Sequence, residues 1–236
     1  MLPQHLFKME YWKKYNKKLN DFAILMHEHN QENEFNFIEN NFYNHIRDLV
    51  ALSISMLQLN SKTPVKILDY GSNATAWANI YRKINTDSIE VTVFDPFHNL
   101  KSSIVDLGFK LNIVNEEKHF LTECFALTIF GSMAQYDKNF LTALNSKTFC
   151  LGEYVLFTHT PLSLEKPFVS KQFSDYKGVQ TVHSFVEVSK SFEKLGYELI
   201  FKSTLPPEDA SVEDQHLNRT VYANLLFAKL INKKKD

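Results

Sequence analysis

The sequence predicts an α/β fold: a seven-stranded, mainly parallel sheet covered by helices, with a C-terminal antiparallel hairpin strand and an N-terminal helical cap. Three observations lead there. After Pro64, short apolar runs alternate with helix-length amphipathic segments, the texture of strands joined by crossovers. Before Pro64 the apolar residues recur at helical steps instead. At the C-terminus two apolar runs are joined by a loop around Pro206 and Pro207 with no helix between them, which lets the last strand run antiparallel. The expected domains are a helical region over 1–62 and an α/β domain over 63–236.

The elements follow in chain order. From His5 to about Asn60, Phe22, Leu25 and Met26, and then Ile46, Leu49, Val50, Ser53, Ile54 and Leu57, mark two or three helices, with a polar linker at His27–Asn33. The first helix interleaves Phe7, Tyr11, Trp12 and Tyr15 with five lysines, a cap helix with its cations in water. Strands are expected at Val65–Tyr70, Glu90–Asp95, Lys110–Val114, Phe125–Phe130, Tyr154–His159, Tyr197–Ser203 and Thr220–Lys229. Helices are expected near Ala76–Ile84, Leu100–Leu107, Lys138–Leu144 and Phe185–Leu195. Ser184 and Glu187 read as a capping box opening the last helix, and Gly196 closes it. The polar stretch Pro161–Thr181, with Lys166, Lys171, Asp175 and Lys177, reads as a long connection of the kind that forms a substrate lid.

Composition narrows the function classes. A net charge of −1 gives no footprint for nucleic acid. Two cysteines, Cys124 and Cys150, supply neither a disulfide framework nor a metal-ligand spacing, so no metal is expected and a reducing, cytoplasmic setting fits. No stretch approaches a membrane span or a signal peptide. Nucleophile-elbow, phosphate-loop and zinc motifs are absent from the sequence.

An alternating α/β sheet finished by a strand hairpin is the layout of class I S-adenosylmethionine-dependent methyltransferases, which this sequence resembles, and the resemblance implies a Rossmann-like sheet. The segment KILDYGSNATAW (Lys66–Trp77) marks the end of the first strand and carries a single glycine, Gly71. Dinucleotide sites need additional glycines for close approach to a pyrophosphate. S-adenosylmethionine has no phosphate, so one turn glycine suffices. Asp69 then faces the ammonium end, and Ser72 and Asn73 either bond the ligand or start the following helix. Asp95 ends the second strand 24 positions after Gly71, near the roughly 20-residue spacing that sets an acid against ribose hydroxyls. Asn115, Glu116 and Glu117 follow the third strand, within reach of the adenine amine, with Glu116 the candidate contact.

The second half resembles more closely a family of bacterial methyltransferases associated with cell-surface polysaccharide genes. The matching segments are GSMAQY (Gly131–Tyr136), THTPLS (Thr158–Ser163) and VQTV (Val179–Val182), in that order. The resemblance spans roughly Lys66 to Lys229. It implies S-adenosylmethionine as cofactor, with Gly131 and Ser132 joining the cofactor set, and Gln135, Tyr136, Thr160 and Gln180 contacting the acceptor. Two departures stand out: Ser72, Asn73, Ala74 and Thr75 where the family keeps a fuller glycine turn, and His159 where it tends to have arginine. If the acceptor is a sugar hydroxyl a general base is useful, and the candidate catalytic residues are His159 and His183. The expected function is O-methylation of a saccharide or saccharide-linked small molecule in surface-glycan biosynthesis, with a homodimer among the assemblies open to the N-terminal helices. Two alternatives stand beside it: a catalytically inactive methyltransferase-like scaffolding subunit, and a nicotinamide-dependent oxidoreductase.

Overall fold

The apolar residues Val65, Ile67, Leu68 and Tyr70 of VKILDY drive the first strand, β1 (Val65–Tyr70), and four of its last five side chains are buried. The computed structural model describes residues 41–61, 63–71, 77, 80, 83–85, 87–95, 102–106, 110–146, 150–172, 178–205 and 212–230. The expected helices before residue 41, most of Ala76–Ile84, and Ser72 and Asn73 lie outside these. The described chain belongs to two compact units divided between Ile129 and Phe130.

In the first unit α1 (Asn41–Asn60) buries Val50, Ser53 and Ile54 of the helical stripe expected from the sequence, and Ala51 beside them. Near its end, Gln58 Nε2 donates to Asn85 O (2.5 Å) and Ser88 Oγ (3.0 Å), just before β2 (Ile89–Phe94). Strand β1 pairs in parallel with β2, which pairs in parallel with β4 (Lys110–Val114). The register matches Tyr70 with Phe94, and Phe94 with Val114, so the three strands end level. Tyr70, Phe94 and Phe120 pack as an aromatic trio at these ends, with ring centroids 4.7, 5.5 and 6.1 Å apart.

One expectation fails in this unit. The segment read as a helix near Leu100–Leu107 holds β3 (Ser102–Asp106), antiparallel to β4. Ile104 and Val105 are β-branched, and only three residues separate Asp106 from Lys110, so a strand hairpin is the locally consistent answer.

The second unit begins inside β5 (Leu127–Gly131) and continues through a 3-10 turn at Ala134–Tyr136, α2 (Phe140–Asn145), β6 (Tyr154–Ser163), β7 (Phe168–Gln172), β8 (Gly178–Ser184), α3 (Phe185–Lys194) and β9 (Tyr197–Leu205). A second 3-10 stretch at Asp214–Arg219 leads into β10 (Thr220–Lys229). Strand β10 runs antiparallel to both β6 and β9, as the C-terminal hairpin requires. Its interior is a run of aromatic rings: Phe140 and Phe157 against Phe130, Phe192 edge-on to Phe157 at 5.5 Å, and Phe192 stacked on Phe227 at 4.2 Å. Helix α3 ends as expected, with Gly196 in the left-handed region (φ 83°) and its N–H donating to Glu193 O (2.9 Å). Strand β9 is the last in the strand order and carries an extra residue, Ile200, between its pairs to Leu226 and Phe227.

Ten strands form the mixed sheet, in the order β3-β4-β2-β1-β5-β6-β10-β9 with β7 and β8 off that path. All seven expected strands are among them. Besides β3, the additions are β7 and β8, which turn the ends of the presumed polar connection Pro161–Thr181 into an antiparallel hairpin. Their pattern is inverted: Ser170 and Gln180 are buried, while Val169 and Val179 are exposed. Ser184 occupies the N-cap of α3 but its side chain makes no capping bond, because it closes β8 and pairs with Ser163 on β6, 3% exposed.

Candidate functional site

In the first unit the level ends of three parallel strands put Gly71, Asp95 and Asn115 side by side, each one residue past the last paired position. The ladder continues through them: Gly71 N–H donates to Phe94 O and Asp95 N–H to Val114 O, both 2.9 Å. Gly71 takes φ 88°, a conformation that costs an L-residue about 1 kcal/mol or more, so the lone glycine sits where the chain must turn. Asp95 is 1% exposed at the carboxyl end of β2, and Asp69, 4% exposed, lies in β1 two residues before Gly71. Indole Nε1–H of Trp77 donates to Asp69 Oδ2 at 2.7 Å. Trp77 itself is fully buried. No part of the sequence reading singled out Trp77 as a partner of Asp69.

Glu116 and Glu117 follow β4. Glu116 is ion-paired with Lys118, and Glu117 accepts from the Tyr70 phenol. The adenine contact expected of Glu116 therefore falls on a carboxylate that shares its charge with a neighbouring lysine.

In the second unit the turn after β5 carries Gly131, Ser132, Gln135 and Tyr136. A Cβ on Gly131 would meet Thr158 Oγ1 at 3.5 Å, an ordinary contact, so its surroundings do not demand glycine. Ser132 does adopt a left-handed φ of 49°, and His159 a φ of 47°; they are the non-glycine residues with positive φ among those described. The two are joined: Ser132 Oγ donates to His159 O (2.7 Å) and Ser132 N–H to Thr158 O (3.1 Å). The cause is a β-bulge. Strand β10 pairs Ala223 with Thr160 and Leu225 with Phe157, leaving Thr158 and His159 opposite Asn224 alone. Asn224 Oδ1 accepts the His159 N–H (2.9 Å) while its Nδ2 donates to Ser203 Oγ (3.0 Å), and the imidazole stacks on Tyr222 at 4.2 Å. The expected strand end at His159 is thus a bulge inside a strand that runs on to Ser163.

Gln135 lies on the 3-10 turn, 3% exposed, and its Oε1 is buried without a hydrogen-bond partner among the described residues. Such an orphan is uncommon and costs roughly 1–3 kcal/mol unless something fills it. Tyr136, next to it, is half-buried. Thr160 is fully buried, its hydroxyl turned back to Thr158 O (3.2 Å), and Gln180 is buried on β8 beside Ser170.

His183 Nε2 lies 3.1 Å from both Ala134 O and Asp137 O. Both partners are carbonyls, so Nε2 carries the proton and donates. Burial pushes its pKa below the ordinary histidine value, against the opposing pull of those carbonyls and of Asp137 and Glu187. His183 therefore pins the Gln135 turn onto β8 as a neutral donor.

No protein-family model matches the chain, and no curated protein sequence matches it. Solved structures do. A 1,6-didemethyltoxoflavin N1-methyltransferase from Burkholderia thailandensis, crystallised with its substrate and S-adenosylhomocysteine, is 12% identical over 89% of this chain and 90% of its own, with a TM-score of 0.50. A magnesium protoporphyrin IX methyltransferase from Synechocystis with bound S-adenosylmethionine is 7% identical over 79% of each chain, with a TM-score of 0.49. At these identities the likeness to the Burkholderia enzyme is one of fold. The mixed sheet with its antiparallel last strand is the fold of class I S-adenosylmethionine-dependent methyltransferases.

Proposed function

We propose that the chain is an S-adenosylmethionine-dependent methyltransferase acting on oxygen of a saccharide or saccharide-linked small molecule, in surface-glycan assembly. The observation that carries the cofactor reading is the row Gly71, Asp95 and Asn115 at the carboxyl ends of adjacent parallel strands, where open α/β sheets bind ligands. The donor set fits the group. Asp95 is a buried acid suited to accept from ribose hydroxyls, Asp69 offers a carboxylate to an ammonium, and the left-handed turn at Gly71 keeps side chain out of the loop. When bound, the cofactor supplies an electrophilic methyl group on sulfonium.

The acceptor reading rests on the second unit. Gln135 presents a buried amide oxygen with an open place for a donor, as a hydroxyl-bearing acceptor would supply. His159, set on a strained bulge and stacked on Tyr222, is the group we assign to take the acceptor's proton, since an alcohol is a poor nucleophile until its proton is removed. Orientation of the acceptor supplies much of the rate in such a displacement. No helix among the described residues is long and apolar enough to cross a membrane.

Isothermal titration with S-adenosylhomocysteine tests the cofactor half directly. Binding in wild type, weakened at least about tenfold in Asp95→Asn by loss of charge-assisted hydrogen bonds, is the expected result. No binding by a cooperatively folded protein would favour the scaffolding reading, and binding of a nicotinamide dinucleotide instead would favour the oxidoreductase.

A further inference from the structure

We infer that Trp77 is a positioning residue for the cofactor: its indole N–H fixes the carboxylate of Asp69 for the ammonium end of S-adenosylmethionine, and its fluorescence reports occupancy of that site. The inference rests on the methyltransferase reading and goes beyond it, because neither the strand-end pattern nor the resemblance gives this tryptophan a role.

The geometry is direct. Trp77 Nε1–H donates to Asp69 Oδ2 at 2.7 Å, with the indole fully buried and the carboxylate 4% exposed. A buried indole needs an acceptor, and a backbone carbonyl or a neutral side chain would serve a purely structural need. Here the acceptor is instead an acid two residues before the left-handed Gly71, on the strand whose end lines up with Asp95. An indole N–H is a neutral donor. It fixes the rotation of the carboxylate without bringing an opposing charge to it. A lysine in the same role would compete with the ligand's ammonium. A rigid, apolar body with one donor also holds the acid with little loss of side-chain entropy on binding, since the indole is locked by packing before any ligand arrives.

The chain has two tryptophans, so Trp12→Phe leaves Trp77 as the sole indole. In that background, S-adenosylhomocysteine is titrated while emission and calorimetric heat are followed. Emission should change saturably with the calorimetric dissociation constant. Trp77→Phe, which keeps an apolar ring and removes the donor, should weaken binding about tenfold, as expected for loss of a hydrogen bond to a charged group. Asp69→Asn should weaken it at least as much, and the double variant should bind no worse than Asp69→Asn, because the indole acts through the acid. Equal affinity in Trp77→Phe, additive losses in the double variant, or unchanged emission while heat shows binding would each overturn the inference and leave the methyltransferase reading standing. Absence of any S-adenosylhomocysteine binding in wild type would overturn both. Should Trp77→Phe not fold cooperatively, the emission titration and Asp69→Asn still decide.

Discussion

The two units of the chain carry different polar groups. At and beside the ends of the parallel strands of the first unit stand four acids, Asp69, Asp95, Glu116 and Glu117, together with Asn115. The buried polar groups of the second unit are mostly neutral, Gln135, Thr158, Thr160, Gln180, His183 and Asn224, with Asp137 the buried acid. Acids suit a ligand carrying an ammonium and a diol; amides and hydroxyls suit an uncharged, hydroxyl-rich acceptor. The contrast teaches that two units of one chain can differ in the charge of the polar groups they bury, Asp69 and Asp95 in the first against mostly amides and hydroxyls in the second.

That contrast can be broken or sharpened by substitution. The largest effect is expected at Phe192, fully buried and stacked on Phe227 in the aromatic interior of the second unit. Phe192→Ala should cost about 3–5 kcal/mol in urea unfolding, a loss set by packing with no electrostatic component. Next comes His183. Its folded pKa lies below the unfolded value of 6.5 because burial disfavours the cation. Stability from the neutral ring is thus fully present above pH 6.5. As pH falls below that value the unfolded chain binds the proton first, and stability is lost until pH passes the folded pKa, by at most about 1.4 kcal/mol per pH unit. His183→Gln keeps an N–H donor without a titrating ring, and should flatten the acid limb of a stability profile measured between pH 5 and about 7.

Gln135→Met sharpens the comparison from the other side. If the unfilled amide oxygen is retained for a ligand, replacing it by an apolar side chain of similar length should raise the unliganded protein's stability by about 1 kcal/mol, read from the denaturation midpoint. A loss of stability would mean that the amide is structurally satisfied. The smallest effect belongs to the charged surface of the first unit. Lys66 sits between Glu90 (3.4 Å) and Glu123 (3.6 Å), which raise its pKa, yet all three side chains are at least a third exposed. Lys66→Met should change stability by less than about 0.5 kcal/mol, since solvent screens such pairs.

How far the sequence could be read follows the same division. The bounds of β1, β4 and β10 were legible to the residue, because each is an apolar run bounded by turn chemistry. Gly71 and Asp95 were legible because strand ends carry their own signal. β7 and β8 were not, since Ser170 and Gln180 face inward while Val169 and Val179 face outward, the reverse of the alternation that marks a half-buried strand. β6 was cut short at His159 because a bulge puts the pattern out of phase: residues before and after the extra position point to opposite faces from those a simple alternation assigns. The Trp77–Asp69 bond spans a strand and a helical residue eight positions apart, and no periodicity announces such a pair. Asn224 was likewise invisible, because its role depends on register between β6 and β10.

Strand β9 closes the strand order, and among the described residues nothing pairs with its outer side, an arrangement that invites a foreign strand to dock. Two details discourage this. The extra residue at Ile200 breaks the even spacing of ladder groups that a newcomer would need, and Lys202, held over the Phe185 ring at 4.9 Å, keeps a cation in the middle of the rim. Removing that lysine would leave Ile200 and Phe201, 51% and 40% exposed, as an unguarded seam along which copies of the protein could polymerise.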